Sequence, residues 1–135
     1  MRLTAMAFAA SVLALGGGLA ASQETAAQLL DGTQIEYAYT DGRAVAMTFH
    51  DGKLRYRWIA GPFEGTEVGD LAYQSRKIGD ELYLVSWHDT ESPTFATMVI
   101  NLEQNVLYST ALVRYGTDRQ ATLFQAAIIE RVTRQ

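Results

Sequence analysis

Two tyrosines spaced two residues apart are the strongest candidates in this chain for binding or activating a small molecule. Tyr37 and Tyr39 precede an Asp-Gly pair at positions 41 and 42. Alternate residues of a β-strand project from one face, so both phenols lie on the same side, and Asp-Gly is typical of a hairpin turn. If that face lines a cavity, two hydroxyls lie side by side in it. The alternative is a structural role, because tyrosine is common in strands.

A carboxylate ends a second strand-like run, from Leu82 to Asp89. Alternation places Asp89 on the same face as Tyr83 and Trp87. Next to an apolar interior, desolvation would suit this carboxylate to moving a proton. The alternative is that Asp89 is solvated in the following loop and caps a turn with Thr90. Residue type and spacing leave both interpretations open.

Trp58 is a further candidate for the interior. The third strand-like run alternates Leu54, Tyr56 and Trp58 with basic residues. Only one face of a strand can point inward, and the apolar set is the better core candidate. Arg55 and Arg57 are then expected in solvent, which is where arginine usually lies.

Arg114 is the arginine best placed to meet a ligand. By alternation it shares a face with Val106, Tyr108 and Leu112. If that face points inward, its guanidinium could clamp a ligand carboxylate near the mouth of a barrel. The alternative is that it extends along the rim into solvent.

The sequence gives no support for metal, nucleophile or phosphate chemistry. His50 and His88 are the only histidines, and neither has ligand-type neighbours at a recognisable metal spacing. There is no cysteine, no Gly-x-Ser-x-Gly elbow and no glycine-rich phosphate loop. We therefore expect neither a metal nor a cofactor.

Short β-rich segments separated by turn residues must position these side chains. The predicted strands are 34–40, 43–49, 53–59, 67–76, 81–88, 94–102, 106–115 and 121–132. Tight connections predict an all-β, antiparallel up-and-down meander of about eight strands, and closure into a barrel removes its exposed edges. Such a barrel can be filled by side chains or can hold one small ligand. Residues 121–132 also suit an amphipathic helix, although their β-branched residues favour a strand.

The first 22 residues have the pattern of a cleaved export signal. Arg2 precedes an apolar run from Ala5 to Leu15, and the small residues 20–22 predict cleavage before Gln23. The apolar run is shorter than the roughly 20 residues that span a bilayer. We expect a periplasmic or secreted protein without a membrane anchor after cleavage, in which residues 23–135 form one barrel domain.

Charge narrows the choice of partner. Without Arg2, the 11 basic residues become 10 against 15 acidic ones, which is a net charge of −5. Nucleic acid and anionic membranes require clustered Lys and Arg, so neither is expected to bind. The expected partner is a small apolar or aromatic ligand, and a homodimer is left open.

Three segments together resemble a known family. These are the Tyr-x-Tyr-x-Asp-Gly start, the run Leu54-Arg55-Tyr56-Arg57 and the run from Leu82 to Asp89. They resemble the MoaF-like proteins, named for molybdenum-cofactor biosynthesis protein F, and more distantly the bacterial phenolic acid decarboxylases. The resemblance covers most of residues 32–113 and implies a lipocalin-like, or calycin-type, barrel.

The decarboxylase resemblance also implies roles for individual residues. Two pocket tyrosines of that family bind the substrate carboxylate, and Tyr37 and Tyr39 match them. Its Ser-Trp-x-Glu motif reads here with Asp89 in place of the glutamate, one methylene shorter. The family's arginine in a Gly-Arg-Trp stretch has no counterpart, because this chain reads Glu-Gly-Thr-Glu at residues 64–67.

Three functions follow as hypotheses. The first is an exported protein that binds a small apolar or aromatic ligand inside the barrel. Its expected ligand-contacting residues are Tyr37, Tyr39, Trp58, Tyr83, Trp87, Asp89 and Arg114. The alternative is a cofactor-free, decarboxylase-like lyase with Tyr37, Tyr39 and Asp89 as catalytic residues. The third is a barrel filled by its own side chains that acts as a structural or partner-binding module.

Overall fold

Eight antiparallel strands make up the fold in a computed structural model of the chain, which describes residues 28–135. The predicted export signal, residues 1–22, lies outside the described residues. The strands are β1 (Thr33–Tyr39), β2 (Ala44–His50), β3 (Lys53–Ala60), β4 (Glu67–Gly79), β5 (Leu82–Asp89), β6 (Thr94–Asn101), β7 (Val106–Val113) and β8 (Ala121–Arg134). No helix in residues 28–135 is long and apolar enough to cross a membrane.

The strands close into a barrel in chain order. Each strand pairs with the next, and β8 returns to pair with β1. The predicted all-β, eight-stranded antiparallel barrel is therefore confirmed. Residues 121–132, which also suited a helix, belong to the longest strand of the barrel, with 14 residues. A helix there would leave β1 and β7 as open edges, whereas the strand pairs with both.

Turn chemistry agrees with the residues that the sequence supplies. Asp51 and Gly52 connect β2 to β3, and both have positive φ, 51° and 73°. Two consecutive positive φ values define the hairpin turn that Asp-Gly favours. Between β1 and β2 the loop is longer: Tyr39 N donates to Arg43 O at 2.8 Å, and only Gly42 has a positive φ. That pattern is a three-residue hairpin loop with a glycine bulge.

One end of the barrel is closed by packed side chains. Leu30, in the turn before β1, lies across this end and is buried together with Phe49, Leu54 and Tyr73. Asp31 ties the turn to the barrel, because its carboxylate accepts hydrogen bonds from Tyr73 Oη at 2.7 Å and from a backbone amide at 2.9 Å. This end supplies the tightly packed part of the core.

Candidate functional site

A cavity of about 550 Å³ occupies the other end of the barrel. It opens between the β1–β2, β3–β4, β5–β6 and β7–β8 connections, each of which contributes to its lining. Six aromatic side chains line it: Tyr37, Tyr39, Tyr56, Trp58, Phe63 and Trp87. A volume of roughly 300–1,000 Å³ with mostly apolar walls is typical of small-molecule sites. The barrel is thus packed at one end and hollow at the other.

The paired tyrosines both face this cavity. The rings of Tyr37 and Tyr39 meet edge to face, with centroids 5.5 Å apart. Tyr37 is only 2% exposed, and burial raises the pKa of its phenol well above the usual value. Burial also raises the pKa of Tyr39, although hydrogen bonds from Tyr37 and Ser109 oppose that rise. Tyr37 therefore keeps its proton near neutral pH, and its hydroxyl interacts with the hydroxyl of Tyr39.

Tyr39 presents a polar group to a ligand. Its hydroxyl interacts with the hydroxyls of Tyr37 and Ser109, and a phenol hydroxyl can both donate and accept. Tyr39 lines the cavity, where this O–H can donate to an acceptor. Burial, and next to it the charge of Asp89, raises the pKa of Tyr56 as well. All three phenols are consequently neutral hydrogen-bonding groups near neutral pH rather than ready proton acceptors.

Arg43 lies at the mouth of the cavity and was not among the predicted site residues. Its guanidinium carbon lies 5.0 Å from the ring centroid of Tyr39 and 5.7 Å from that of Trp58. Arg43 Nε donates to Asp41 Oδ2 at 2.7 Å, which holds the guanidinium in place. Hydrogen bonds and charge from Arg43 hold the pKa of the Asp41 carboxyl below its usual range. A cation stacked on aromatic rings is a preformed site for an anion or acceptor.

The sequence does contain a pattern that indicates an ordered side chain at Arg43. The residue follows Asp41-Gly42 directly, and the Asp side chain also accepts a hydrogen bond from Arg43 N at 3.1 Å. An Asx-type turn of this kind fixes the residue two positions on, so it predicts an ordered arginine beside the paired tyrosines. Its direction toward the cavity could not be read from alternation, because it lies outside both strands.

Both tryptophans of the chain line the cavity. The Trp58 ring packs at a tilt against Phe63, from the β3–β4 loop, with centroids 5.4 Å apart, and lies 6.4 Å from the Tyr39 ring. Trp87 lies deeper, 6.5 Å from Tyr56. These centroid distances are within the range of favourable aromatic pairs. The two indoles therefore form a mouth wall and an inner wall of the same cavity.

Asp89 is occupied by the turn that follows β5. Its Oδ1 accepts from Glu91 N at 3.0 Å, and its Oδ2 accepts from Ser92 Oγ at 2.9 Å. The residue is buried but does not line the cavity. The geometry matches the turn-capping alternative rather than a carboxylate aimed at a ligand. Its place at the end of the strand lets the side chain fold back onto its own loop.

Tyr83 and Arg114 differ from their predicted positions in two ways. Tyr83 lies at the packed end, beside Arg134, and not in the cavity. Arg114 does line the mouth, but the face it was grouped with, carrying Tyr108, points outward. Arg114 has left strand β7 and has a positive φ of 51°. Alternation does not apply to a residue in the left-handed region, which explains the difference.

The predicted ligand-contacting residues thus separate into two groups. The structure brings together Tyr37, Tyr39, Trp58, Trp87 and Arg114 around the cavity and leaves Asp89 and Tyr83 outside it. Tyr56 joins the cavity, as do the loop residues Arg43 and Phe63. No cluster of three or more His, Asp or Glu side chains suited to a metal occurs within residues 28–135.

Comparison with known proteins agrees with this architecture. A protein-family model described as MoaF-like matches residues 31–122, more than half of the chain. A crystal structure from Burkholderia vietnamiensis, provisionally described as a beta-lactamase, superposes with a TM-score of 0.66 at 13% identity. The match covers 77% of this chain and 95% of that chain, and at this identity it shows the fold alone. A search of curated proteins found no match.

Proposed function

The chain belongs to the MoaF-like family, and we propose that it binds a small, largely apolar or aromatic molecule inside its barrel. The observation that carries this proposal is the cavity of about 550 Å³ with its six aromatic side chains. An apolar wall with a few polar groups gives a ligand both buried area and orientation. A filled barrel, the structural alternative, would have no such space.

The lining of the cavity indicates that the expected ligand has an apolar part and a polar part. Toward the interior, Met47, Met98 and Ala96 offer an apolar surface, and methionine adapts to irregular shapes. At the mouth, the Tyr39 hydroxyl and the Arg43 guanidinium are both donors. An apolar body therefore enters first, and a hydrogen-bond acceptor on the ligand remains at the mouth.

Binding accounts for the site better than catalysis does. A decarboxylase-like mechanism would need Tyr37 or Asp89 to move a proton near neutral pH. Burial raises the pKa of Tyr37, which makes it a poor proton source, and Asp89 is engaged in its own turn. Within the cavity, the lyase hypothesis keeps only the side-by-side phenols, because Asp89 does not line it; the hypothesis makes a separate prediction that can be measured.

Intrinsic tryptophan fluorescence tests the binding proposal directly. Both indoles line the cavity, so an occupant should change the emission of the protein in a saturable manner. The probes are pairs that share one body, such as cinnamate with cinnamyl alcohol and decanoate with decanol. Arg43→Gln and Tyr39→Phe should each lower the affinity for the acid of each pair by about tenfold, equivalent to about 1.4 kcal/mol of binding free energy. Tyr83→Phe, at the packed end, is the matched control.

A flat response across all probes would contradict the binding proposal and would favour a partner-binding module. The lyase hypothesis is tested by incubating the protein with p-coumarate and ferulate and following loss of the acid and release of carbon dioxide. Absence of turnover, or turnover that survives in Tyr37→Phe, would rule that hypothesis out.

We also propose that the protein acts outside the cytoplasm. The support is the pattern of residues 1–22, with Arg2, the apolar run and the small residues before Gln23. Cell fractionation followed by intact-mass measurement should find a periplasmic or secreted chain that begins at Gln23. A full-length chain in the cytoplasm would contradict this localisation.

A further inference from the structure

The outer surface of the barrel differs sharply between its two sides. On β3 and β4, Arg55 pairs with Glu67 at 3.7 Å and with Asp70 at 3.3 Å. On β5 to β8, the outward-facing residues within 84–88, 95–99, 106–112 and 122–128 include no Lys, Arg, Asp or Glu. We call this second surface the outer apolar face. Its most exposed member is Phe124, which is 86% exposed.

Strand register gives the outer apolar face a groove and a projection. Ser86 pairs with Thr97, Thr97 with Thr110, and Thr110 with Phe124. Cross-strand partners lie side by side on one face. Three short side chains in adjacent strands therefore form the floor of a groove, and the Phe124 ring stands at its end.

Larger side chains border the groove on both sides. The row Leu84, Val99 and Tyr108 is two residues along the strands in one direction. The row His88, Phe95 and Leu112 is two residues along in the other direction. Neighbouring strands are about 4.8 Å apart, so the groove runs roughly 14 Å from Ser86 to Phe124.

We propose that the outer apolar face is the interface of a homodimer, with the Phe124 ring of each copy in the groove of the other. A two-fold axis near Thr97 and Thr110 would bring each projection over the partner's short side chains. Projection and groove on one surface satisfy the requirement of an isologous contact, in which one patch is complementary to itself. A surface without charge also offers nothing to a partner recognised by charge.

The exposed area suits a dimer of this kind. Phe124, Tyr108 and Phe95 are 86%, 54% and 48% exposed. At about 200 Å² for each fully exposed aromatic residue, these three present on the order of 400 Å². Ile128, Leu84 and the groove threonines add to that area. The total approaches the roughly 800 Å² that each partner buries in a standard interface. The exposed side chains form one contiguous patch, whereas single surface hydrophobics are normally scattered.

Sedimentation of the purified chain over a range of concentrations tests the dimer. The expected result is a reversible monomer–dimer equilibrium. Phe124→Glu would place a charge in the apolar groove, and Thr97→Arg would fill the groove with a long cation. Each should weaken the dimer at least about tenfold, since central aromatic residues dominate such interfaces. Ile78→Glu is the control for adding a charge outside the groove, because Ile78 is 49% exposed and lies on β4, outside the four strands that carry the face.

Thiol cross-linking gives a second readout, which reports the residues that lie near the axis. The chain has no cysteine, so Thr110→Cys introduces a single thiol next to the proposed axis. A short bismaleimide should give a covalent dimer, because sheets packed face to face lie about 10 Å apart. Gln74→Cys, on β4 beyond the Ser86 end of the groove, should remain monomeric under the same conditions. A wild-type chain that is monomeric at every concentration would overturn the proposal. So would a dimer that tolerates Phe124→Glu and traps Gln74→Cys as readily as Thr110→Cys.

Discussion

The two ends of the barrel are built from the same alternating strands but have opposite interiors. At the packed end, Phe49 and Tyr73 meet at 4.9 Å and Leu30 closes the barrel over them. At the open end, Tyr39 and Trp58 are 6.4 Å apart, and a cavity lies between the walls. Close packing stabilises a fold, whereas unfilled apolar volume does not. The difference indicates that stability resides mainly at the packed end, whereas the open end provides the cavity for the proposed binding.

The segment before β1 is the structural reason that the two ends differ in packing. Leu29 N donates to Ser75 Oγ at 2.8 Å, and Asp31 binds Tyr73, so the chain lies across the packed end. At the open end, the β3–β4 loop brings only Phe63 over the mouth, and this ring is 52% exposed. One end is thus covered by a tethered segment, while the other retains access.

The largest expected effect separates the two ends by stability. Phe49→Ala at the packed end should lower the free energy of unfolding by about 3–5 kcal/mol, because a buried ring leaves a cavity. Phe63→Ala at the mouth should cost less than about 1 kcal/mol but should weaken ligand binding. Urea unfolding of the two variants measures the difference. Equal losses of stability would break the comparison.

A second pair of variants compares buried phenols. Tyr73→Phe removes the hydrogen bond to the Asp31 carboxylate and should cost about 1–3 kcal/mol, the range for bonds to charged groups. Tyr37→Phe removes a bond between neutral hydroxyls and should cost about 1 kcal/mol or less. Ligand affinity should fall in Tyr37→Phe, whose ring lines the cavity, and should be nearly unchanged in Tyr73→Phe. Fluorescence titration of the two variants measures this difference. A loss of affinity in Tyr73→Phe alone would contradict the division between ends.

Asp89 provides an intermediate test, at the rim of the open end. Asp89→Ala removes the acceptor for Glu91 N and Ser92 Oγ and should lower stability by about 1 kcal/mol. Ligand affinity should be unchanged, because the side chain does not line the cavity. Loss of binding without loss of stability would instead place this carboxylate in the site.

The smallest expected effect is on stability at high pH, and it is absent at neutral pH. Burial raises the pKa of Tyr37, Tyr39 and Tyr56 in the folded protein. Above about pH 10 the unfolded chain loses these protons first. The contribution of these three neutral phenols to the free energy of unfolding is therefore complete below that pH and decreases as the pH rises above it. Urea midpoints measured at increasing pH should fall less steeply for Tyr37→Phe than for wild type. Tyr108→Phe is the control, because Tyr108 is 54% exposed in the single chain, and the titrations use dilutions at which the chain is monomeric.

Much of the architecture was predictable from local pattern. Period-two alternation and short turn segments indicated eight strands, and closure followed from the need to pair the edges. The same alternation assigned Tyr37, Tyr39 and Trp87 to one side of their strands. Side-chain direction in a strand is a local property of the backbone, which is why sequence reasoning reached it.

Residues outside the strands were beyond such reasoning. Arg43 lies in a turn, and Arg114 lies in a loop with positive φ. Neither position obeys the alternation of a strand, so neither side chain could be assigned a direction from the pattern. Asp89 stays on the buried face that alternation gave it, but its carboxylate is engaged by the turn that follows β5, which the pattern of a strand does not predict.

By itself, the sequence determined which side of each strand faces inward and how the turns connect the strands. Tertiary structure alone decided which end of the barrel is filled and which is hollow. Tyr83 and Trp87 share a face of β5, yet one lies at the packed end and the other lines the cavity. Whether an end is filled depends on which side chains the stagger between neighbouring strands brings to the same level, and closure of the whole sheet sets that stagger. No single strand carries that information, because stagger is a relation among all eight.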